Sequence, residues 1–212
     1  STAEPADVTE LDRVLVLGRR SELVGETISA SEGVVGAQDM AGRPRLRTGD
    51  LLEFVPGLIA TAHSGNGKAN QYFLRGFNLD HGTDFATWVD GMPVNQRTHG
   101  HGQGYTDLNF MIPETVAALS YRKGPYYADT GDFSSAGSAR FTLLDTVDEG
   151  LASLTLGQFG EQRGVLMDAH GLGAGTLLYA AELQRYDGPW DDIDEDVRKR
   201  NLLLRYSAEV GS

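Results

Sequence analysis

Between Gln71 and Pro125 three short strand-like runs each stop at a turn signal, and no other stretch constrains the fold as much. Tyr72-Phe73-Leu74 stops at Arg75-Gly76, Phe85 to Val89 at Asp90-Gly91, and Leu119-Ser120-Tyr121 before Gly124-Pro125. Asp-Gly is the strongest short turn dipeptide, because its residues accept the left-handed backbone of tight hairpins. Polar loops rich in Gly, His and Asp separate the runs, and a ligand is expected to meet the protein there. With 27 glycines in 212 residues, many tight turns and close backbone approaches are expected, as in an α+β or β-rich fold.

The stretch before these runs is less regular. Ser1 to Glu10 is acidic and lacks an apolar period, so residues 1–10 read as a flexible segment and a processed or trimmed N-terminus. Val14 to Leu17 is an apolar burst that suits a short strand or an extended recognition peptide. Thr48 or Asp50 can cap a short helix over Leu51 to Val55, with Leu51, Leu52 and Val55 buried and Pro56-Gly57 as its stop. Ile59 to Ala62 and Ala139 to Leu144 read as strands. Pro113 to Ala117 reads as one or two helical turns, with Pro at the first position.

Near Asp145 the pattern changes to strict alternation. Ala152, Leu154 and Leu156 oppose Ser153 and Thr155; Val165, Met167 and Ala169 oppose Asp168 and His170. Leu177, Tyr179, Ala181 and Leu183 oppose Thr176, Glu182 and Gln184; Leu202, Leu204 and Tyr206 oppose Arg205 and Ser207. Such runs suit consecutive antiparallel strands. Periodicity alone favours a soluble sheet with one wet face, the commoner case, over a membrane barrel. Tyr186 to Arg200 reads as a long solvated loop.

The net charge of −12 and a pI of about 4.7 exclude duplex nucleic acid as an expected partner, since phosphate binding needs a basic face. With no cysteine, neither a disulfide nor a thiolate metal site is possible. No apolar run approaches the ~20 residues of a spanning helix. Nucleophile-elbow, triad and phosphate-loop spacings are missing, so no catalytic residue and no cofactor are assigned.

Taken in order, several motifs resemble a TonB-dependent outer-membrane receptor. They are Leu51-Leu52-Glu53-Phe54-Val55-Pro56-Gly57, Phe73-Leu74-Arg75-Gly76-Phe77, Asp90-Gly91-Met92-Pro93, and Glu114 through Lys123-Gly124-Pro125. Each is weak alone; their order across about a hundred residues is specific. Two departures stand out: Tyr127-Ala128-Asp129 replaces the family's frequent Tyr-Gly, and Ser134 to Arg140 replaces its Gly-rich run. The resemblance implies an α+β plug domain, a small mixed sheet with short helices, over residues 11–144. Residues 145–212 would be the first antiparallel strands of a transmembrane β-barrel. The family's barrel has about 22 strands, so the whole protein is expected to continue beyond Ser212.

The resemblance also implies function: active uptake of a metal chelate, most readily an iron–siderophore, across the outer membrane, with no chemical step. TonB and its inner-membrane energising complex, the chelate and outer-membrane lipid would be the partners. Three plug loops, Thr61 to Asn70, Asn78 to Asp84 and Asn95 to Tyr105, would form the outer-facing apex and contact substrate. The candidates there are His63, Asn66, Lys68, Asp80, His81, Asp84, His99, His101, Gln103 and Tyr105. No metal ligand set is assigned, because neither a helical His-x-x-x-His nor a thiolate spacing occurs. Asp12, Arg13, Val14, Leu15, Val16 and Leu17 would be the segment that TonB captures by strand addition, or else the plug's first strand. Arg75 and Glu114 would pair with barrel charges. Arg122 and Lys123 are strand-end charges, Trp88 reads as core, and Asp90-Gly91 reads as a turn without chemistry. The rival reading is a soluble periplasmic metal-dependent enzyme or metal-binding protein built on the His/Asp loops.

Overall fold

The computed structural model describes residues 26–27, 31–43, 47–62 and 65–209. Strands β1 (Glu26–Thr27), β2 (Glu32–Gly36), β6 (Phe85–Val89), β7 (Met92–Pro93), β8 (Val116–Lys123) and β9 (Gly137–Leu143) form one mixed sheet. Its order is β1-β2-β8-β9-β6-β7, with β6 and β9 parallel and the other neighbours antiparallel. A second, antiparallel sheet joins β3 (Leu58–Thr61), β4 (Gln71–Leu74) and β5 (Phe77–Asn78). Helix α1 (Ala37–Ala41) follows β2 and buries Met40.

The helix expected at Leu51 to Val55 is a 3-10 helix over Thr48–Phe54, and Asp50 accepts the Arg47 backbone N–H at 3.1 Å. Leu51, Leu52 and Val55 are buried. Pro113–Thr115 is a single 3-10 turn, because the β-branched Val116 already begins β8. Along β8, Val116, Leu119, Tyr121 and Lys123 are buried, and the first three meet Phe85, Phe141 and Leu74 in one core. Truncating a phenylalanine in such a core costs about 3–5 kcal/mol. Trp88, expected in the core, is only half-buried; the Arg140 guanidinium lies 4.1 Å above its ring. The turns at Arg75-Gly76 and Asp90-Gly91 run through positive φ at all four residues, as the dipeptides demand.

A third sheet, β10 (Leu151–Leu156), β11 (Gln162–Leu172), β12 (Gly175–Tyr186) and β13 (Val197–Ala208), is an antiparallel meander. Its last three strands have 11, 12 and 12 residues, enough to cross a hydrocarbon core at a tilt. The outer face carries Leu154, Leu156, Leu166, Leu183, Leu202, Leu204 and Tyr206, all more than half exposed. The inner face carries Arg163, Glu182, Lys199, Asn201 and Arg205 and lies against the first two sheets. Apolar outside and polar inside is the wall of a membrane barrel. Strand β11 departs from the expected parity: Val165 and Met167 point inward and pack with Ile112.

Gly173-Ala174 joins β11 to β12 in a tight turn, whereas residues 187–196 join β12 to β13 in a long loop. Barrel strands turn tightly on the periplasmic side and loop widely outside, which orients the wall.

Candidate functional site

The three expected loops meet at the end of the molecule that carries the long 187–196 connection. Asn66 donates its backbone N–H and its Nδ2 to Glu195 Oε2 of that connection, both at 3.0 Å. Asn95, unremarked in the sequence, organises the second and third loops. Its Nδ2 faces the carbonyls of Gly82 (3.0 Å), Phe85 (3.1 Å) and Gly104 (3.1 Å), and its Oδ1 accepts the Thr87 N–H at 2.7 Å. Only long-range placement gives a lone Asn this role, so no local signal marks it.

At the centre sits His81, 2 % exposed. Its Nδ1 faces the carbonyls of Ala69 (2.9 Å) and Asn70 (3.0 Å). Carbonyls only accept, so Nδ1 carries a proton, and Nε2 is the ring nitrogen left to act as a ligand. That Nε2 lies 3.8 Å from Asp80 Oδ1. Asp80 holds φ +50° with its N–H on Asn78 Oδ1 at 2.8 Å. The His101 ring meets His81 edge-on at 4.3 Å between centroids. Asp80, His81 and His101 bring one candidate ligand atom each to within 4.8 Å of one another.

The other candidates divide. His99 stacks on Tyr105 at 3.9 Å, and its Nδ1 accepts the His101 N–H at 3.1 Å. Tyr105 is buried, and its hydroxyl accepts the Ala69 N–H at 2.8 Å, so it is the floor of the cluster. Asp84 is tied to the Ser135 hydroxyl, and the backbone carbonyl of the exposed Gln103 accepts the Thr83 hydroxyl at 2.8 Å. Lys68 lines a cavity of about 480 Å³ between the loops and β13, together with Arg47, Asn70, Asn109, Lys199 and Asn201. His63 and the Asp12 to Leu17 segment lie outside the described residues.

Beneath the loops the inner wall grips the mixed sheet. Arg163 donates Nη1 and Nη2 to the two oxygens of Glu114, both at 2.8 Å, and Nε to Glu182 Oε1 at 2.6 Å. Glu182, 1 % exposed, also binds Lys199 Nζ and Asn201 Nδ2, both at 3.0 Å. Lys199 then reaches Thr48 Oγ1 at 2.8 Å, and Asn201 reaches the Asn109 carbonyl at 2.8 Å. Lower down, Arg205 pairs with Asp90 and with Asp145, so the Asp90-Gly91 turn does carry a contact. The Ser207 hydroxyl, seconded by Arg205, holds the Asp145 carboxyl below the usual carboxylate range.

Of the two residues expected to pair with barrel charges, Glu114 meets Arg163, whereas Arg75 has no carboxylate within ion-pair distance among the described residues, which hold only four strands of the wall. Arg75 stands at an exposed turn, and its charge, after burial, helps lower the pKa of Lys123. Arg122 and Lys123 bind neighbouring turns rather than wall charges, Asp129 at 3.1 Å and the Pro56 carbonyl at 3.3 Å. Burial raises the pKa of the Tyr72 phenol.

A small mixed-sheet cork gripped by polar side chains inside an apolar-skinned wall defines a plugged outer-membrane barrel. Residues 25–138 match the family described as TonB-dependent Receptor Plug Domain, and the chain belongs to that family. Its members are receptors of the outer membrane rather than enzymes, which removes the soluble-enzyme reading. Three solved structures share the fold. The siderophore receptor PirA from Pseudomonas aeruginosa is 18% identical with a TM-score of 0.56, over 87% of this chain and 33% of that one. The ferric enterobactin receptor PfeA is 20% identical with a TM-score of 0.55, over 75% and 25%. The copper transporter OprC is 22% identical with a TM-score of 0.57, over 78% and 25%. The chain thus spans a quarter to a third of the length of these relatives.

Proposed function

We propose that this chain is the plug and first barrel strands of a receptor that takes up a metal chelate, most readily an iron–siderophore, by an energised step. The observation that carries the reading is convergence: the His81 cluster and the loops around it sit at the wide-loop end of the wall. Loops on a rigid scaffold bind ligands, and here the Asn95 and Tyr105 hydrogen bonds hold them in place. PirA is a siderophore receptor, PfeA a ferric enterobactin receptor and OprC a copper transporter, so metal cargo is the shared theme. TonB, engaging Asp12 to Leu17 by strand addition, would supply the pull from the inner-membrane complex. Asn66, Lys68, Asp80, His81, His99, His101 and Gln103 would contact cargo, while Tyr105 and Asp84 would shape the surface.

The test is uptake. A strain lacking the receptor gene is given a panel of radiolabelled iron, copper, nickel and zinc chelates under metal limitation. Loss of uptake of at least one chelate is expected, restored by the wild-type gene but not by one lacking residues 12–17. Unchanged uptake across the panel would overturn the reading.

A further inference from the structure

We infer that Asp80, His81 and His101 form a direct binding site for a borderline divalent transition-metal ion at the apex of the plug. This rests on the apex being the cargo face and narrows the cargo to an ion that the protein itself ligates.

The argument starts with the fixed ligand. His81 is buried and oriented by two backbone carbonyls on Nδ1, which turns Nε2 toward Asp80. A hydrogen bond from one ring nitrogen that fixes the tautomer and aims the other is how metal-ligating histidines are held. Asp80 is the second fixed group, its backbone held by Asn78 at positive φ. With metal–ligand bonds of 2.0–2.2 Å, neighbouring ligand atoms in a tetrahedral site stand about 3.4 Å apart. The observed 3.8 Å between His81 Nε2 and Asp80 Oδ1 therefore needs only a few tenths of an ångström of closure.

His101 is the ligand on the solvent side. It is exposed, flanked by Gly100 and Gly102, and its ring already packs edge-on against His81. A spread of up to 4.8 Å among the three ligand atoms is wider than a closed site, and the adjustment falls on this residue.

Chemistry selects the ion. Two imidazoles and one carboxylate suit Zn²⁺, Cu²⁺, Ni²⁺ or Fe²⁺; Mg²⁺ and Ca²⁺ prefer all-oxygen sets, and Cu⁺ prefers the thiolates this chain lacks. Three protein ligands leave a coordination position for water or for a donor atom of an incoming chelator. That suits cargo, which must arrive and leave.

The experiment uses the full-length receptor, purified in detergent and stripped with a chelator, then titrated with Zn²⁺, Ni²⁺ and Cu²⁺ chlorides, with Mg²⁺ and Ca²⁺ as controls. Saturable one-to-one binding of at least one transition ion is expected, with none of the controls. Asp80→Asn keeps the shape of a half-exposed side chain and His101→Ala shortens an exposed one; each should weaken binding by about tenfold to a hundredfold or more. The Cu²⁺ electron spin resonance spectrum should show nitrogen splitting that diminishes in His101→Ala. Wild-type affinity in both variants, or no binding by the wild type, overturns the site. If the wild type binds no ion while cells still need the receptor to take up a chelate, the ion site falls and the transport reading stands. If the ion binds but no uptake depends on the receptor, the transport reading falls and the site stands.

Discussion

Glu114→Gln is the perturbation that best tests how the plug is held. Glu114 and Arg163 make two parallel hydrogen bonds of 2.8 Å, with side chains only 14% and 10% exposed. At an effective dielectric of about 20, two unit charges at that distance attract by about 6 kcal/mol. Desolvation offsets much of this, but removing one partner strands the other, and such losses run to about 3–5 kcal/mol. Arg163 keeps Glu182 in the variant, which favours the lower end of that range. The readout is hydrogen exchange in the full-length receptor, at the amides of Thr115, Val116 and Leu144 that border the contact. A loss of about 3 kcal/mol speeds their exchange by about a hundredfold or more if they exchange by local opening. Raising the salt should change little, because the pair is shielded from solvent. Pairing Glu114→Leu with Arg163→Met should recover part of the loss, since no lone charge then remains at that contact. Exchange within about threefold of wild type in Glu114→Gln would equate the pair with an ordinary surface ion pair and refute the reasoning.

Asn95→Ala should cost about 2–4 kcal/mol locally, read as faster exchange at Thr87 and easier proteolysis of the third loop, because several backbone groups lose one shared partner. Asn95→Asp should rescue nothing, as a carboxylate would face three carbonyls. Leu204→Arg, on the outer face, should destabilise insertion into lipid vesicles by up to about 4 kcal/mol in urea titrations, least if the residue lies near an interface. Asp145 has a folded pKa below its ordinary 3.8. Its contribution is therefore present above that value and fades as pH falls through the folded pKa. Thermal melts on acidification should show Asp145→Asn losing less stability than wild type in that window, and parallel curves would count against the Arg205–Asp145 contact.

What local sequence encodes and what it does not can be seen residue by residue. The turns at Arg75-Gly76 and Asp90-Gly91 were legible because positive φ restricts residue choice within two positions. The outward parity of Leu202, Leu204 and Tyr206 was legible because strand side chains alternate. For β11 the same rule misled: Val165 and Met167 are apolar yet face inward, because Ile112 of the plug meets them there. Trp88 read as core, but its parity on β6 turns it toward Arg140. At the apex the loops could be named from their composition, whereas the Asp80–His81–His101 cluster depends on folding His101 back by about twenty residues onto His81. Asn95, Arg163 and Glu182 carry no local signal, since each acts through partners remote in sequence.

Among the described residues the polar side chains of these four strands grip the plug at three levels, and their surroundings rank them. At the top Asn66 meets Glu195 in the open, a contact that water competes for. At the bottom Arg205 meets Asp90, with side chains 26% and 22% exposed, and the wetter Asp145, 63% exposed, so water reaches both pairs and the Asp145 pair is worth about 1 kcal/mol or less. Only the middle level is dry on both sides. There Glu182 gathers Arg163, Lys199 and Asn201 on the wall, and each of the three extends to the plug: to Glu114, to Thr48 and to the Asn109 carbonyl. One buried carboxylate thus positions three separate holds, and two acids and two bases there balance in charge. Among the described residues this is the driest polar hold, and it lies beside the apolar packing of Ile112 on Val165 and Met167. Under the proposed uptake reading, that contact lies on the route between the cargo loops above and the Asp90 turn below. Loosening it, rather than either rim, is what would let the cork shift inside its wall.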